Sequence, residues 1–461
     1  MLNASRTRME ADALGALEVP ADAYWGIHTE RARRNFQVSG RPVAPALIRA
    51  LALVKQAACL TNRGLGCLDP ARAQALLGAC EAVAGGALAD QFPLDALQGG
   101  AGTSTNMNVN EVLANLALER LGRPKGDYAG MHPLDHVNLH QSTNDAYPTA
   151  LRVAALGRLG ELGAAVAGLQ GLLQRKEAEF GRVIKMGRTE LVEAVPMTLG
   201  AEFSAFAEAL ARDRWRVAKC EERLRVVNLG GTAVGTGLGA PRAYIFQVTD
   251  ALRGLTGLNL CRAENLVDAT ANQDALVEVA GILKAHACNL YKLAQDLRLL
   301  AAFGEVSLPA LQAGSSIMPG KVNPVALECV IQSSLWAQAQ EGLVARAVQG
   351  SSLQICEFMP LAADALLGML DCLTQADRML AGHLEGLTAD APACARRVWQ
   401  APTVVTALLP TLGYAAAGAL AQGYQAGGGG DLRSFLEGRL GKEALEQALS
   451  PAALTALGRP S

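Results

Sequence analysis

Aromatic residues are scarce in this chain: Phe, Trp and Tyr together make up 4% of its 461 residues. Because β-strands draw heavily on aromatic and β-branched residues, this scarcity argues against a fold built on sheets. The net charge is also small, since 41 basic and 43 acidic side chains sum to −2 at pH 7. Proteins that bind the phosphate backbone of nucleic acids need clustered Lys and Arg, so this balance argues against a general polyanion binder.

Long uninterrupted apolar runs and paired cysteine motifs are also lacking. The most apolar helical patterns are too short to span a membrane, for instance where Arg152, Arg158 and Glu161 interrupt one of them. The segment Met1–Ala11 lacks the apolar core of a signal peptide. The ten cysteines include no CxxC pair, which favours reduced thiols over a disulfide framework or a zinc ribbon. We therefore expect a cytoplasmic protein with no membrane partner.

Hydrophobic residues, by contrast, make up 50% of the chain, which is ample for a large core. Apolar side chains recur every three or four positions over long stretches, and no short Val- and Ile-rich runs lie between them. The main stretches are Leu151–Phe180, Phe203–Val226, Gln273–Ala302 and Val325–Val348. This pattern predicts an all-α fold in which several long antiparallel helices pack as a bundle.

The sequence pattern changes twice along the chain and so predicts three domains. Short helical patterns alternate with Pro and Gly up to about His136, and long helical patterns begin near Ala146. After about Asp390 the patterns shorten, and the run Gly427–Gly430 precedes a last helical pair. The predicted domains are an N-terminal helical domain at 1–140, a central helix bundle at 141–392 and a small C-terminal domain at 393–461.

Three histidines, His132, His136 and His140, are spaced four residues apart. On a helix they would share one face and offer a possible metal site. However, Pro133 lies inside this segment and no HExxH glutamate is present, so histidines that pack in a loop are the simpler interpretation. We therefore predict no metal site here.

The glycine- and serine-containing stretch Gly314–Val322 superficially resembles a phosphate-binding loop. Five residues rather than four separate its glycines, and Val322 stands where a magnesium-binding hydroxyl would be required. Nucleotide binding is therefore not predicted. The composition instead indicates a mobile loop that carries serines, a candidate lid over a binding site.

Three further segments concentrate hydroxyl, amide and charged groups. They are Gly99–Asn108, Gln141–Asp145 and Lys185–Glu190. Helix capping is one interpretation, and it is the favoured one for Ser142 or Asp145 taken alone. The alternative is an anion site, because free hydroxyls and backbone N–H groups at a helix N-terminus suit a carboxylate.

Together with Lys321 and Asn323, these polar groups would suit a small dicarboxylate. Both residues lie in the run GSSIMPGKVNP at Gly314–Pro324, which resembles the signature of the aspartase/fumarase superfamily. The resemblance extends over roughly residues 8–420 and includes five more segments: Glu10–Phe36, Gly99–Asn115, Val137–Thr149, Lys185–Phe203 and Asn228–Leu238.

Within this superfamily, two segments are more similar to aspartate ammonia-lyases than to class II fumarases. They are Asn144–Thr149 and Ala194–Gly200. Fumarases tend to carry Phe and Leu at the positions of Tyr147 and Met197. The resemblance implies elimination of ammonia from L-aspartate, or a close amino-dicarboxylate, to give fumarate. Fumarate hydration or action on another succinyl compound is the alternative within the family, and a catalytically idle scaffold is the alternative outside it.

The resemblance also implies a three-domain, all-α protein whose central bundles associate into a homotetramer, with active sites where several subunits meet and with no cofactor. It implies that Ser315 is the general base and that Lys321 and Asn323 lie near the α-carboxylate. Around the β-carboxylate it implies Thr103, Ser142, Thr143 and Ser316. Near the leaving amine it implies Asn144 and Thr189.

These residue types fit the implied chemistry. Removing a proton next to a carboxylate creates a dianionic enediolate, which fixed hydrogen-bond donors must stabilise. Serine is a poor base at its ordinary pKa, so a nearby Lys321 and backbone N–H groups in a closed site are the means of favouring its alkoxide.

Two departures from the family pattern bear on the substrate. Glu190 follows the Gly-Arg-Thr triplet, where relatives commonly have His or Gln, and Glu328 lies seven residues after Lys321. We predict that these two carboxyl groups face each other and attract the substrate ammonium; the alternative is that Glu190 forms a salt bridge with Arg188 or another surface base. The segment Ala301–Ser307 is shorter than in relatives, and either change could redirect the specificity or abolish the usual activity.

Overall fold

The structure is a computed structural model that describes residues 6–456, so Met1–Ser5 of the N-terminal segment considered above lie outside the described residues. The α-helices are α1 (Ile27–Asn35), α2 (Pro45–Gly64), α3 (Pro70–Ala84), α4 (Thr103–Arg120), α5 (Thr143–Glu179), α6 (Leu199–Leu224), α7 (Arg242–Thr256), α8 (Leu266–Ala271), α9 (Asp274–Ala302), α10 (Val325–Gln349), α11 (Met359–Leu384), α12 (Ala391–Val398), α13 (Leu409–Leu412), α14 (Tyr414–Ala426), α15 (Leu432–Leu440), α16 (Lys442–Ala448) and α17 (Pro451–Thr455). Short 3₁₀ segments lie at Ala89–Gln91 and Pro402–Leu408, and a π-helical turn at Pro133–Val137.

Strands form only short two-stranded ribbons in the described residues. They are β1 (Thr7–Asp12) with β2 (Gly15–Pro20), β3 (Ile184–Thr189) with β4 (Val192–Thr198), β5 (Val226–Val227) with β6 (Cys261–Arg262), and β7 (Val306–Ser307) with β8 (Thr388–Ala389). The β5–β6 pair is parallel and the others are antiparallel. The prediction of a helical protein is therefore confirmed, while the ribbons are additions that the sequence patterns did not reveal.

The predicted long helices are present as α5, α6, α9 and α10, and a fifth long helix, α11, was not predicted. The predicted terminal pair is present as α15 and α16, and the glycine run follows α14, with Gly428, Gly429 and Gly430 at positive φ. Pro148 lies in the second turn of α5.

The chain divides into two compact units. The first comprises Met1–Gly163, Arg216–Ala285 and Trp336–Cys372, and the second comprises Ala164–Trp215, His286–Leu335 and Leu373–Ser461. The long helices α5, α6, α9, α10 and α11 contribute residues to both units. The predicted division into three domains stays a prediction.

In the first unit, α2 packs against α3, α4 and α7 and buries an almost continuous apolar face. Ion pairs join the long helices here: Arg158 of α5 lies 2.9 Å from Asp371 of α11, and Lys284 of α9 lies 2.8 Å from Glu341 of α10. The N-terminus of α1 is capped from α4, because Glu111 accepts hydrogen bonds from backbone N–H groups at the start of α1. Burial raises the pKa of Glu111 to about 7.

In the second unit, the β3–β4 ribbon packs against α12 and the 3₁₀ segment at Pro402–Leu408. Three long helices meet at a buried histidine: the ring of His286 in α9 lies 3.0 Å from Asp213 of α6 and 3.0 Å from Asp377 of α11. All three side chains are almost fully buried. This cluster shows directly that α6, α9 and α11 are neighbours in a bundle.

All ten cysteines lie within the described residues, and none of them forms a disulfide bond there, as predicted. Five of them are buried, four are exposed and Cys372 is partly exposed. None of the helices within residues 6–456 combines the length and apolar character needed to cross a membrane.

Candidate active site

In the first unit, the N-termini of α4 and α5 meet. Asn106, in the first turn of α4, donates from Nδ2 to Oγ1 of Thr143, the first residue of α5, over 3.0 Å. The first N–H groups of a helix have no intrahelical acceptor and carry the positive end of the helix dipole. Two converging N-termini therefore create a favourable environment for a carboxylate.

The approach of these helices depends on glycine. Gly102, which precedes Thr103 at the start of α4, has a φ of 88°. A Cβ atom at this position would lie 2.4 Å from the ring of the buried Tyr147. A side chain at position 102 would therefore push α4 away from α5.

Ser142 and Asp145 also cap α5, as the capping interpretation predicted. Asp145 accepts from the backbone N–H of Ser142 over 2.9 Å, and Ser142 Oγ accepts from the N–H of Asn144 over 3.2 Å. This reciprocal arrangement is a capping box. The other Asp145 oxygen accepts from the N–H groups of Gly230 and Thr232, which ties the glycine-rich segment to the start of α5. Burial raises the pKa of Asp145 to about 6.

Pro148 changes the hydrogen bonding of Asn144, which lies four residues before it in α5. Proline has no N–H group, so the carbonyl of Asn144 loses its usual partner four residues later in the helix. The buried Asn228 replaces that partner by donating to the Asn144 carbonyl over 2.9 Å. The Asn144 side chain donates in turn to the carbonyl of Ala233 over 2.7 Å. The start of α5 is thus fixed in position from both sides.

A small pocket opens at these helix ends. It is lined by Ala101, Thr143, Asn144, Pro148, Thr270, Gln273, Ile355, Cys356 and Met359. Behind it, the buried Arg152 donates to Gln273 over 2.8 Å. In the sequence, Arg152 stood out only as a charge within an apolar helical pattern and was not assigned to the site.

In the second unit, the loop at Gly314–Pro324 is closed on itself. The N–H of Gly314 donates to the carbonyl of Lys321 over 2.7 Å, and the Asn323 side chain donates to the carbonyl of Gly314 over 2.9 Å. A Cβ atom at Gly314 would lie 2.9 Å from backbone atoms of both partners. Glycine is therefore required where the loop closes.

Ser315 lies inside this closed loop. Its Oγ accepts hydrogen bonds from the backbone N–H groups of Ile317, over 3.1 Å, and Met318, over 3.0 Å. Two N–H donors aimed at one hydroxyl oxygen stabilise negative charge on that oxygen. Within a single chain the loop is exposed, and the side chain of Ile317 is 84% accessible.

Thr189 and Glu190 lie at the tip of the β3–β4 ribbon. Thr189 pairs with Val192, so Glu190 and Leu191 form a two-residue turn with φ values of 53° and 63°. Positive φ at both positions is the requirement of a type I′ turn, which usually selects Gly or Asn. Both side chains are exposed. Residues held in this sparsely populated conformation are common at ligand sites.

The ribbon is anchored by the segment Ala301–Ser307. Glu305 of this segment is fully buried and lies 2.7 Å from Arg188 and 2.8 Å from Lys185, both in β3. Arg188 also lies over the ring of Phe303. Burial opposes the ionisation of Glu305, but the two cations hold its pKa below the ordinary value.

The partners of Arg188 show whether it forms the salt bridge with Glu190 that was considered as an alternative. Its guanidinium contacts Glu305 and, at 3.7 Å, Glu193, rather than pairing with Glu190. Glu328, in the first turn of α10, lies 3.7 Å from Arg298 of α9. A facing pair of Glu190 and Glu328 therefore stays a prediction for assembled chains.

The predicted site residues thus fall into two groups. Thr103, Ser142, Thr143 and Asn144 belong to the first unit, while Thr189, Glu190, Ser315, Ser316, Lys321, Asn323 and Glu328 belong to the second. The structure brings the first group together at two helix N-termini. In the second group, one closed loop contains Ser315, Ser316, Lys321 and Asn323.

The three spaced histidines do not converge on one point. The segment Pro133–Val137 forms the π-helical turn, in which His132 Nδ1 accepts from backbone N–H groups and His136 Nδ1 accepts from the N–H of His132. His140 Nδ1 instead lies 2.7 Å from Asn62. Within residues 6–456, no group of three or more His, Cys, Asp or Glu side chains is arranged to hold a metal ion.

A family profile described as lyase matches residues 15–338 of the chain. The aspartate ammonia-lyase of Pseudomonas canavaninivorans is 44% identical over 98% of this chain and 97% of its own length. This chain belongs to the aspartase/fumarase superfamily of lyases.

Solved structures of superfamily members agree with this assignment. A fumarate lyase:delta crystallin from Brucella melitensis bound to cobalt is 42% identical, has a TM-score of 0.93 and covers 98% of this chain and 100% of its own. A class II fumarase from Schistosoma mansoni is 32% identical, has a TM-score of 0.90 and covers 98% of this chain and 99% of its own. The all-α fold that the superfamily resemblance implied is therefore confirmed.

Proposed function

We propose that the protein eliminates ammonia from L-aspartate, or a close amino-dicarboxylate, to give fumarate, and so is a carbon–nitrogen lyase. The observation that carries the proposal is similarity to aspartate ammonia-lyases over nearly the whole chain, at 44% identity. The sequences around Tyr147 and Met197 support the same substrate, since both positions carry residues more similar to these enzymes than to fumarases.

In this proposal Ser315 takes the proton from the carbon next to the β-carboxylate. The two N–H donors to Ser315 Oγ support this role, because they favour the alkoxide form of a side chain that is otherwise a poor base. The electron pair of the broken C–H bond moves into the carboxylate and gives a dianionic enediolate. Collapse of this intermediate turns the former C–H pair into the C=C bond of fumarate and breaks the C–N bond, whose own electron pair leaves with ammonia.

The β-carboxylate binds at the two helix N-termini, near Thr103, Ser142 and Thr143, with Ser316 contributed by the loop. The convergence of α4 and α5 supports this assignment, because the positive ends of the two helix dipoles stabilise the extra negative charge of the enediolate more than that of the substrate. Interactions that strengthen as charge develops accelerate the reaction.

The remaining groups bind the other end of the substrate. Lys321 and Asn323 contact the α-carboxylate, while Asn144 and Thr189 lie near the leaving amine. Glu190, supported by Glu328, attracts the ammonium group and favours an amino substrate over malate. No cofactor has a part in these steps, because the proton and the leaving group both come from the substrate.

We also propose that the chain has three domains, assembles into a homotetramer and works in the cytoplasm. The distribution of the site residues over two units supports shared sites, in which different chains supply different groups. The lack of disulfide bonds among the cysteines of residues 6–456 supports a reducing compartment.

The proposal is tested by following fumarate absorbance with the purified protein on L-aspartate and, separately, on L-malate. We expect fumarate from aspartate and little from malate. A preference for malate would favour the second candidate, fumarate hydratase, to which the 32% identity with a class II fumarase gives some support. No turnover of any succinyl compound would identify a catalytically idle scaffold.

A further inference from the structure

A buried lysine lies at the start of a hydrogen-bond chain that ends at Thr143. Lys55, on the buried face of α2, is fully inaccessible to solvent and donates to Asn138 Oδ1 over 2.7 Å. Asn106 Nδ2 donates to the same Asn138 oxygen over 3.3 Å and to Thr143 Oγ1 over 3.0 Å. Asn110 Nδ2 is a third donor to the Asn138 oxygen, also over 3.3 Å.

The orientation of the Asn138 amide is determined at both of its ends. The ammonium group of Lys55 can only donate, so it requires the amide oxygen on its side. Asn138 Nδ2 donates to the backbone carbonyl of Gln141 over 3.1 Å, and a carbonyl can only accept. Rotating the Asn138 amide by 180° would place its NH₂ group against the ammonium group of Lys55 and its oxygen against the carbonyl of Gln141.

The orientation of the Asn138 amide determines that of the Asn106 amide. Since the oxygen of Asn138 can only accept, Asn106 must present Nδ2 to it and not Oδ1. The same Nδ2 group is the donor to Thr143 Oγ1. Because Thr143 Oγ1 accepts this hydrogen bond, its own proton is left to donate to another group.

Thr143 lines the small pocket at the start of α5, where the proposed function places the substrate carboxylate, so this carboxylate is the group that would receive the proton. The direction in which the Thr143 hydroxyl points its proton changes its electrostatic interaction with a bound carboxylate. A hydroxyl that donates stabilises a carboxylate and stabilises a dianionic enediolate more, whereas a hydroxyl that turns its lone pairs outward repels both.

Lysine is unusual at a fully buried position such as that of Lys55. Burying a lysine is unfavourable, and this burial lowers the pKa of Lys55 to about 7, because the attraction of Asp145 opposes the shift only in part. An apolar residue would fill the same space with no such penalty. A neutral amine could also accept a hydrogen bond, but the carbonyl of Gln141 still requires Asn138 Nδ2 on its side, so the orientation of Asn138 does not depend on the charge of Lys55.

We propose that Asn106 is a positioning residue, oriented by Lys55 through Asn138, which holds the Thr143 hydroxyl as a donor toward the substrate carboxylate. The inference rests on the proposed function, because it takes the carboxylate to be that of the substrate. Asn106 acts through Thr143 and does not touch the substrate itself.

The test compares two equivalent substitutions, Asn106→Asp and Asn110→Asp. Each places a carboxylate beside the same Asn138 oxygen, but only the first also faces Thr143 and makes its hydroxyl donate inward. We expect Asn106→Asp to lower kcat by about 10²-fold, the typical effect of losing one donor to developing negative charge. Asn110→Asp should stay within about tenfold of the parent, because it leaves Thr143 unchanged.

A double-mutant cycle with Thr143→Val shows whether the effect passes through Thr143. We expect Asn106→Asp to cause little further loss of kcat when Thr143 is already Val, because the donor it would misdirect has been removed. Equal losses in both backgrounds, or an Asn110→Asp loss as large as that of Asn106→Asp, would overturn the inference. Asn106→Leu, which removes the donor without adding charge, replaces Asn106→Asp if the latter does not fold.

Calorimetric binding of fumarate separates this inference from the proposed function. We expect fumarate to bind the Asn106→Asp variant at least about tenfold more weakly than the Asn110→Asp variant, a ratio equal to about 1.4 kcal/mol. Equal affinities would overturn the inference while leaving the proposed function in place. A parent protein that neither binds fumarate nor acts on aspartate would overturn the proposed function and the inference together.

Discussion

At the scale of single residues, Ser315 is the group on which the proposed chemistry depends. Because it acts mainly in the transition state, Ser315→Ala should lower kcat by about 10²–10⁴-fold with little change in KM. Steady-state kinetics on L-aspartate measure both parameters, and the midpoint of urea unfolding checks that the fold is intact. A kcat within about tenfold of the parent would remove Ser315 as the base.

Glu190 is the residue expected to select an amino substrate. It is exposed at the tip of the β3–β4 ribbon and is not engaged by Arg188, so its carboxylate is available to a substrate ammonium. Glu190→Gln should therefore reduce the ratio of kcat/KM for aspartate to that for malate. Glu193→Gln, which changes a carboxylate on the same ribbon that lies 3.7 Å from Arg188, is the matched control. An unchanged ratio in Glu190→Gln would show that Glu190 does not contact the leaving group.

The residues that were predictable from the sequence are those whose role follows from neighbours in the chain. The closed loop around Ser315 and the cap formed by Ser142 and Asp145 are local and carry recognisable patterns. Lys55 and Asn228 were missed, because their partners lie 83 and 84 residues away along the chain. No periodicity or spacing reveals such a contact before the fold is known.

At the scale of secondary-structure elements, the β3–β4 ribbon depends on one buried carboxylate. Glu305→Gln should lower the free energy of unfolding at neutral pH, because Lys185 and Arg188 lose their shared partner. The upper limit of this loss is about 3–5 kcal/mol, the cost of breaking a buried ion pair. The substitution should also lower activity, because β3 carries Thr189. Urea unfolding compared with that of Glu193→Gln, a partly exposed control, measures the first effect.

The pH dependence of this effect follows from the depressed pKa of Glu305. The stabilisation is present above the ordinary pKa of 4.5 and is lost as the pH falls through the lower value of the folded state. The difference between parent and Glu305→Gln should therefore shrink in acid. A constant difference from neutral to acid pH would show that the charge of Glu305 is not what anchors the ribbon.

The bundle contains a second electrostatic contact with the opposite pH dependence. Burial opposes protonation of His286, but Asp377 and Asp213 outweigh it and raise its pKa to about 10. The resulting stabilisation is fully present below the ordinary pKa of 6.5 and is lost as the pH rises toward 10. Between pH 7 and pH 10 the parent should therefore lose more stability than His286→Gln, measured by urea unfolding. Parallel curves would contradict a charged His286.

The long helices could be predicted because an amphipathic pattern repeats many times along them. The strands could not, since they are between two and seven residues long and offer too few repeats to be distinguished from loops. The turn at Glu190 and Leu191 adds a further difficulty, because both residues adopt positive φ without being Gly or Asn. Tertiary contacts, rather than local preference, determine this turn.

At the scale of the whole molecule, the proposal requires several copies of the chain. The protein should elute as a tetramer of 48.1 kDa subunits. Two inactive variants, Thr103→Ala and Ser315→Ala, should partly restore activity when their subunits are mixed and reassembled, because some sites then receive both intact residues. Each variant reassembled alone is the control. A stable and fully active monomer, or a mixture no more active than its components, would contradict shared sites.

The dependence of the elimination on Ser315 is tested by a time course of ammonia and fumarate released from L-aspartate by the purified protein, with Ser315→Ala run alongside. We expect the parent to release the two products in equal amounts and the variant to release almost none. Release of neither product by the parent, or equal release by the parent and the variant, would contradict an elimination that depends on Ser315.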